Sequence, residues 1–561
     1  MDEHRRPRAD RGPEAVDEDG AHLHLLAARG PGQPGVLLDG DRLPDRRDRL
    51  EPVRGVGTCV QQQLRRPRSR RRRHRLPRSD RRNHRAPRRP VSRRPPRLAT
   101  VAALLAAIAL TPIAGSEASA GVAGPTPERA AELGRRAWIY GFPLLEFARV
   151  RKEQTSVACP DRRGNAPLNS FSNAPTFPSP ESRTVVAPNT DTLYSIAHLD
   201  LGHGPIVLGH PGMGRRYFSL QLLDPYTNVI GFIGSRATGP KAGRFAIAWR
   251  EKPARTKPRM PVIESRYRRV WVIGRTLATD RADQREAYRR MRRYELHRLG
   301  REPRRFPARC NPGEPGEFPT PTDGERFIAK LNRKLASNPP PRRDRPLLDE
   351  LASVGVGPGL DPERAGLSPA ALNALYASVA AEAASFPTAT RLAALQQAIA
   401  EGGWLLPADN IGDYGTDYEF RARIAILGLG ANTPDEAIYP TALTDSAGAL
   451  LDGANDYRVT FPPGEAPPAR YFWSLTAYDS SGFLAPNPID RYSVGPSHPP
   501  LREKADGSIV IALQDEKPAE SRVNWLPTPA AGFRLNLRLY GPSRAARRGD
   551  WRPPPVVEVT P

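Results

Sequence analysis

Apolar positions along this chain change period twice. Between residues 128 and 151 they recur about every 3.6 residues: Ala130, Leu133, Ala137, Ile139 and Tyr140 form a stripe behind Pro127. That pattern predicts a helix, bent at Gly141-Phe142-Pro143. Beyond Pro160 the pattern becomes alternation in short runs separated by Pro, Gly, Asn and Asp, at 192–201, 205–208, 217–223, 229–234, 244–249 and 268–276. Strands at that spacing predict a β-sandwich. From Arg281 to Glu401 the helical period returns, at 285–299, 325–336, 346–354, 369–384 with Ser368 as N-cap, and 390–399. Alternation resumes at 457–461, 471–478, 509–513 and 533–540, so the predicted plan is β, α, β. Residues 216–224 and 470–479 echo each other in an Arg-Tyr-Phe start, a Ser-Leu middle and an Asp end, which predicts two central strands each closed by an Asp turn.

The first 120 residues break this order. Residues 1–90 hold 24 Arg and no Lys with no apolar period, a composition that cannot bury enough surface to offset chain entropy. Either this is a disordered leader or the true start lies downstream. Residues 91–120 have the layout of a signal peptide: a basic Ser92-Arg93-Arg94-Pro95-Pro96-Arg97, an apolar run from Leu98 to Gly115, and a small-x-small Ala118-Ser119-Ala120. Export to the cell envelope or beyond is therefore expected, with no stable membrane span after cleavage.

Charge changes meaning once that segment is set apart. It carries 27 of the 85 basic and 14 of the 60 acidic residues, so the remainder has a net charge of +12 rather than +25. The case for nucleic acid leaves with it, and none is expected as a partner. Basic residues then concentrate between Arg281 and Arg345, as a solvated face or a surface for an anionic ligand or membrane. Cys159 and Cys310, 151 residues apart, form no disulfide framework and no zinc spacing, and their pairing is left open.

Several motifs in order carry a family resemblance. Ala137-Trp138-Ile139-Tyr140-Gly141-Phe142-Pro143, the run Asn189 to Ser195, Leu199-Asp200-Leu201 and Arg216-Tyr217-Phe218 through Asn228 resemble the bacterial domain of unknown function 1254. Tyr414-Gly415-Thr416-Asp417-Tyr418, Phe472-Trp473-Ser474-Leu475-Thr476, Asn487 to Ser493, Asn524-Trp525-Leu526-Pro527 and Arg538-Leu539-Tyr540 resemble the domain of unknown function 1214. The resemblance implies a multidomain α+β protein: an N-terminal immunoglobulin-like β-sandwich with a leading helix at 127–280, a helical middle at 281–410, and a C-terminal jelly-roll-like β-sandwich at 411–555. No established reaction comes with it.

Chemistry therefore rests on residue types. Asn189, Asp191 and Tyr194 sit where a turn enters a strand, and Asp224, Tyr226 and Asn228 where another leaves. If the sheet gathers these ends on one rim, Asp191, Asp224 and Tyr194 become catalytic candidates. Asn189, Tyr226 and Asn228 would bind a ligand, and a divalent cation is a candidate cofactor held through oxygens. The plainer reading is that Asn and Asp cap turns and Tyr hydroxyls tie loops to backbone. Trp473, Tyr478, Arg491 and Trp525 are ligand-binding candidates in the second β unit, since aromatic faces stack on sugars and Arg grips anions, although large aromatics also fill sandwich cores.

There is no Gly-x-Ser-x-Gly elbow, no His-Glu-x-x-His and no phosphate loop. His198, His203 and His210 are spaced unlike a zinc site, and no metal-ligating residues are assigned. The sequence favours a hydrolase-like or ligand-binding cleft for a small polar or anionic molecule. The alternative is a non-catalytic envelope module for a sugar, lipid or metabolite. Assembly with further copies leaves no signature.

Overall fold

A computed structural model describes residues 124–183, 186–254, 260–497, 501–520 and 523–559. The expected leader and signal peptide lie outside the described residues. The protein is a mixed α+β molecule whose described residues form seven α-helices and four sheets, antiparallel apart from two parallel strand pairs.

Two sheets build the first β unit. The five-stranded one runs in the order Ser172–Asn173, Thr192–Asp200, Arg269–Leu277, Phe218–Leu223, Val229–Gly234; the four-stranded one runs Val262–Ser265, Gly243–Trp249, Ile206–His210, Glu295–Arg298. Their inward residues share one core, with Leu193, Ala197 and Leu199 meeting Ile206, Leu208 and Ile247. The period-2 alternation read from the sequence is thus the division between this core and the opposite sheet face.

Helix Pro127–Gln154 packs on Gly324–Ser337, Pro369–Ala400 and Tyr418–Leu427 around Trp138, Phe327 and Leu375. Its Phe147 also reaches the five-stranded sheet at Trp271, 6.3 Å between rings, so this helix joins the helical layer to the first β unit. Thr126 caps it by accepting from the Arg129 amide, and Ser368 caps the long helix by accepting from the Ala371 amide, as expected.

Two helical expectations are corrected. The stretch 285–299 splits into helix Arg281–Met291 and edge strand Glu295–Arg298, because the backbone of the latter pairs with the open edge of Ile206–His210 and Tyr294 turns inward to bond Thr276 at 3.0 Å. The segments 369–384 and 390–399 are one helix, Pro369–Ala400, that carries Pro387 in its interior. Its Ala-rich flanks and packing against Pro127–Gln154 outweigh the hydrogen bond that Pro removes.

The second β unit holds a sheet centred on Ala469–Asp479 and Phe533–Pro542, and another ordered Asn524–Pro527, Ile509–Gln514, Asp456–Phe461, Val557–Val559. Trp473, Leu475, Leu535 and Leu537 face the shared core with Tyr457, Val459 and Ile511. The alternate residues Phe472, Ser474, Thr476 and Tyr478, opposite Tyr540, Arg538, Asn536 and Arg534, face the other way. Both echo segments are interior strands ending in an Asp turn: Asp224 accepts from the Asn228 amide and Asp479 from the Phe483 amide. Cys159 and Cys310 form a disulfide. No described helix is long and apolar enough to cross a membrane.

Candidate functional site

The shared rim is not formed. Strands Thr192–Asp200 and Phe218–Leu223 both run antiparallel to Arg269–Leu277, hence parallel to each other; Thr192 lies opposite Leu277, and Leu223 opposite Trp271. Asp191 precedes the start of one strand and Asp224 follows the end of the other. Six residues of strand, roughly 20 Å, therefore separate their levels. A cation held by both carboxylates is excluded by that distance. Among the described residues no group of three or more His, Cys, Asp or Glu is placed to hold a metal ion.

The first trio lies in a seam between the two β units. Asn189 accepts from the Asp191 and Thr192 amides at 2.6 and 3.2 Å and donates from Nδ2 to the Tyr540 hydroxyl at 2.5 Å. Ser474 donates to Asp191 Oδ2 at 2.6 Å. Tyr478 donates to the Pro188 carbonyl and accepts from Arg538, whose other contacts are Thr476 and the Ala187 carbonyl. Half-buried Tyr194 sits 5.9 Å from Arg275, a buried guanidinium that donates to Gln221, Asn432 and the Gly430 carbonyl. Tyr217 donates to Glu436 at 2.7 Å and packs on Tyr471, Phe472 and Tyr540, so the two echo segments meet here. Asp191 and Asn189 are 1% and 2% exposed, and their bonds reach across the seam.

Of the second trio, buried Asp224 and half-buried Asn228 border a cleft, and Tyr226 does not. The turn after Phe218–Leu223 is held by Asp224, whose Oδ1 accepts from the Tyr226 and Asn228 amides at 2.8 and 3.0 Å. Thr227 is forced to a φ of +63°, an uncommon conformation for a β-branched residue. Asp224 and Asn228 line this cleft of about 750 Å³ beside Ile411 and Gly412, bordered by Arg236, Arg343, Arg544, Arg547 and Arg548 and by three further carboxylates, Asp409, Asp413 and Asp435. The first β unit, the helical layer and the end of the chain all contribute to it. Arg236 is paired with Glu436 and Arg547 with Asp435, while Arg544 and Arg548 have no acidic partner among the described residues. The Asn228 Oδ1 is buried without a hydrogen-bond partner. Burial pushes the Asp224 carboxyl up to about 6, against the opposing pull of its bonds to Asn228 and Tyr226 and the more distant Arg421. Tyr226 points away, its hydroxyl donating to the Asn338 carbonyl beside Arg421.

The remaining candidates are dispersed. Trp473 is 5% exposed and packs on Phe461, within the core. Trp525 donates to the Gln514 carbonyl and Arg491 to the Trp525 carbonyl, both local ties. Sequence reasoning missed Arg275 and Glu436, and it missed the arginines of the last helix, Arg544–Arg548, as part of a cleft. A charged residue inside the apolar run Val270-Trp271-Val272-Ile273-Gly274-Arg275 was the available signal.

Comparison with known proteins adds a shared fold and matches to two family models. The solved structure of the VPA0106 protein from Vibrio parahaemolyticus is 24% identical, covering 77% of this chain and 100% of its own, with a TM-score of 0.56. An uncharacterised protein from Burkholderia cenocepacia is 14% identical, covering 77% of this chain and 93% of its own, with a TM-score of 0.36. No curated protein matches. A family model described as protein of unknown function, DUF1254, matches residues 168–298, and a second, DUF1214, likewise a protein of unknown function, matches 436–544, in the order the resemblance placed them.

Proposed function

We propose that this is an exported protein whose cleft beside Asp224 binds a small anionic molecule and uses the Asp224 carboxyl to move a proton, as a hydrolase does. One observation carries the reading: a buried carboxyl raised to about 6 lines a cleft in which Arg544 and Arg548 have no acidic partner among the described residues, although Asp409, Asp413 and Asp435 also border it. A carboxyl poised near neutrality exchanges protons at working pH, and arginine forks hold carboxylate or phosphate beside it. The orphan Asn228 Oδ1 supplies an acceptor for a substrate hydroxyl or amide. Asp191 and Tyr194 belong, in this reading, to the seam that fixes the two β units around the cleft. The immunoglobulin-like and jelly-roll-like forms of those units are part of the same proposal. Export is supported by the signal-like residues 91–120 and by the Cys159–Cys310 disulfide, which persists in oxidising compartments.

The second reading is a binding module without catalysis. It is favoured by the engagement of Asp224 Oδ1 by two amides, which is also what a purely structural turn requires. Screening phosphate esters, carboxyl esters and glycosides against wild type and Asp224→Asn separates the two. Loss of an acid–base group lowers kcat by about 100-fold or more, whereas a binder shows no turnover and changes affinity by less than about tenfold.

A further inference from the structure

We propose that a second cleft, distinct from the one beside Asp224, is a binding site for a small hydroxylated phosphate ester. The cavity, about 820 Å³, lies across the ends of three adjacent strands of the four-stranded sheet of the first β unit, Ile206–His210, Gly243–Trp249 and Glu295–Arg298, and its size suits a metabolite. Five arginines border it, Arg244, Arg292, Arg293, Arg304 and Arg305, against one carboxylate, Glu295, which already pairs with Arg244 at 3.1 Å. Arg292, Arg293, Arg304 and Arg305 are exposed and have no acidic partner among the described residues. Such a surplus of guanidinium groups over carboxylates recruits phosphate.

The cleft also contains a group that arginines do not satisfy. His210 is 5% exposed, its Nδ1 donates to the Pro211 carbonyl at 2.9 Å, and its Nε2 is buried without a partner. Burial holds the imidazole neutral, so Nε2 is a bare acceptor. A Cβ at Gly243 would come within 3.1 Å of that atom, and glycine leaves the space in front of it open. Ser170 Oγ, on a residue 6% exposed that also lines the cleft, is a second unpartnered polar atom. Leaving such groups unpaired is unfavourable, and a ligand that pairs them recovers that loss. A bare Nε2 requires an O–H or N–H donor, and the arginines require an anion. A phosphorylated polyol or sugar supplies both within one molecule.

The segment carrying Arg304 and Arg305 is long and has no regular structure of its own, yet it is anchored. The Cys159–Cys310 disulfide ties it to the loop that follows the first helix, and the Gly316 amide donates to Ser156 Oγ in the same loop at 2.9 Å. Those ties hold two phosphate-binding groups against the strand ends.

Calorimetry on the full chain with glucose 6-phosphate, glucose and inorganic phosphate as probes tests the assignment. The expected result is binding of the ester at least about tenfold tighter than either fragment, weakened at least about tenfold in the Arg304→Ala/Arg305→Ala variant. His210→Phe should erase the preference for the ester over inorganic phosphate while retaining arginine-dependent phosphate binding. Should that variant not fold, the arginine pair on the surface decides. Ester binding that is undetectable, or indifferent to Arg304 and Arg305, overturns the proposal. So does loss of binding in Arg544→Ala/Arg548→Ala, which would assign the ester to the cleft beside Asp224 instead.

Discussion

At the residue scale, Asp224 does two things that pull in opposite directions. Its bonds to the turn amides favour the ionised form, and its burial, the larger effect, opposes it. With a carboxyl raised above its ordinary 3.8 to about 6, the folded protein binds the proton more tightly than the unfolded chain. Stability from this group is therefore full below 3.8 and is lost as pH rises through about 6, a change of about 2–3 kcal/mol. In Asp224→Asn, Oδ1 can still accept both amides, and the orphaned Asn228 Oδ1 can turn to accept from the new Nδ2. The variant is expected to be as stable as wild type or more so at pH 7, with a flatter pH dependence between 4 and 6. Urea unfolding at the two ends of that range checks it, and parallel slopes in both proteins would refute the assignment. The Asp224 turn was legible because an Asp followed by Pro-Tyr-Thr-Asn makes its bonds within four residues. The partner of Asp191 was not, because Ser474 stands 283 positions away and only the packed sheets bring it near.

Between elements, contacts are decided by what each face leaves room for. Gly134 in the first helix faces the long helix so closely that a Cβ would sit 2.6 Å from the Leu375 carbonyl and also strike Ser378. A backbone oxygen cannot step aside, so Gly134→Ala should destabilise the protein by about 1–3 kcal/mol despite the better helix propensity of Ala. Thermal unfolding measures it, and an unchanged Tm would show that these helices slide freely. Across the seam, Tyr540→Phe deprives the Asn189 amide of its acceptor, an expected loss of about 1–3 kcal/mol by chemical denaturation. Long periodic segments were legible from pattern alone: helix Gly324–Ser337 and strand Thr192–Asp200 lie where their apolar spacing puts them. Glu295–Arg298 was not, since four residues carry no period and the open edge of a neighbouring strand recruited them.

For the whole molecule, the alternation of β, α and β along the chain was readable, but the way the first helix joins two of those layers was not. Its apolar stripe is wide enough to serve the helical core and, through Phe147, the sheet. The disulfide acts at the same scale by closing a loop of 151 residues. Replacing both cysteines with Ala is expected to cost about 2–5 kcal/mol. Limited proteolysis should then cut first within residues 299–323, and equal protection of both proteins would contradict the anchoring role.

The seam has a consequence for any attempt to divide the chain. Freed from its neighbour, the C-terminal half would present Phe472, Tyr478, Tyr540 and the Arg538 guanidinium to solvent as an open lattice of rings and unmet donors. A chimaera grafting a foreign C-terminal half onto this N-terminal one must bring a hydroxyl to each of the two places where Asn189 and Asp191 await it. The halves are interlocking parts, and recombination between them is permitted only in matched pairs.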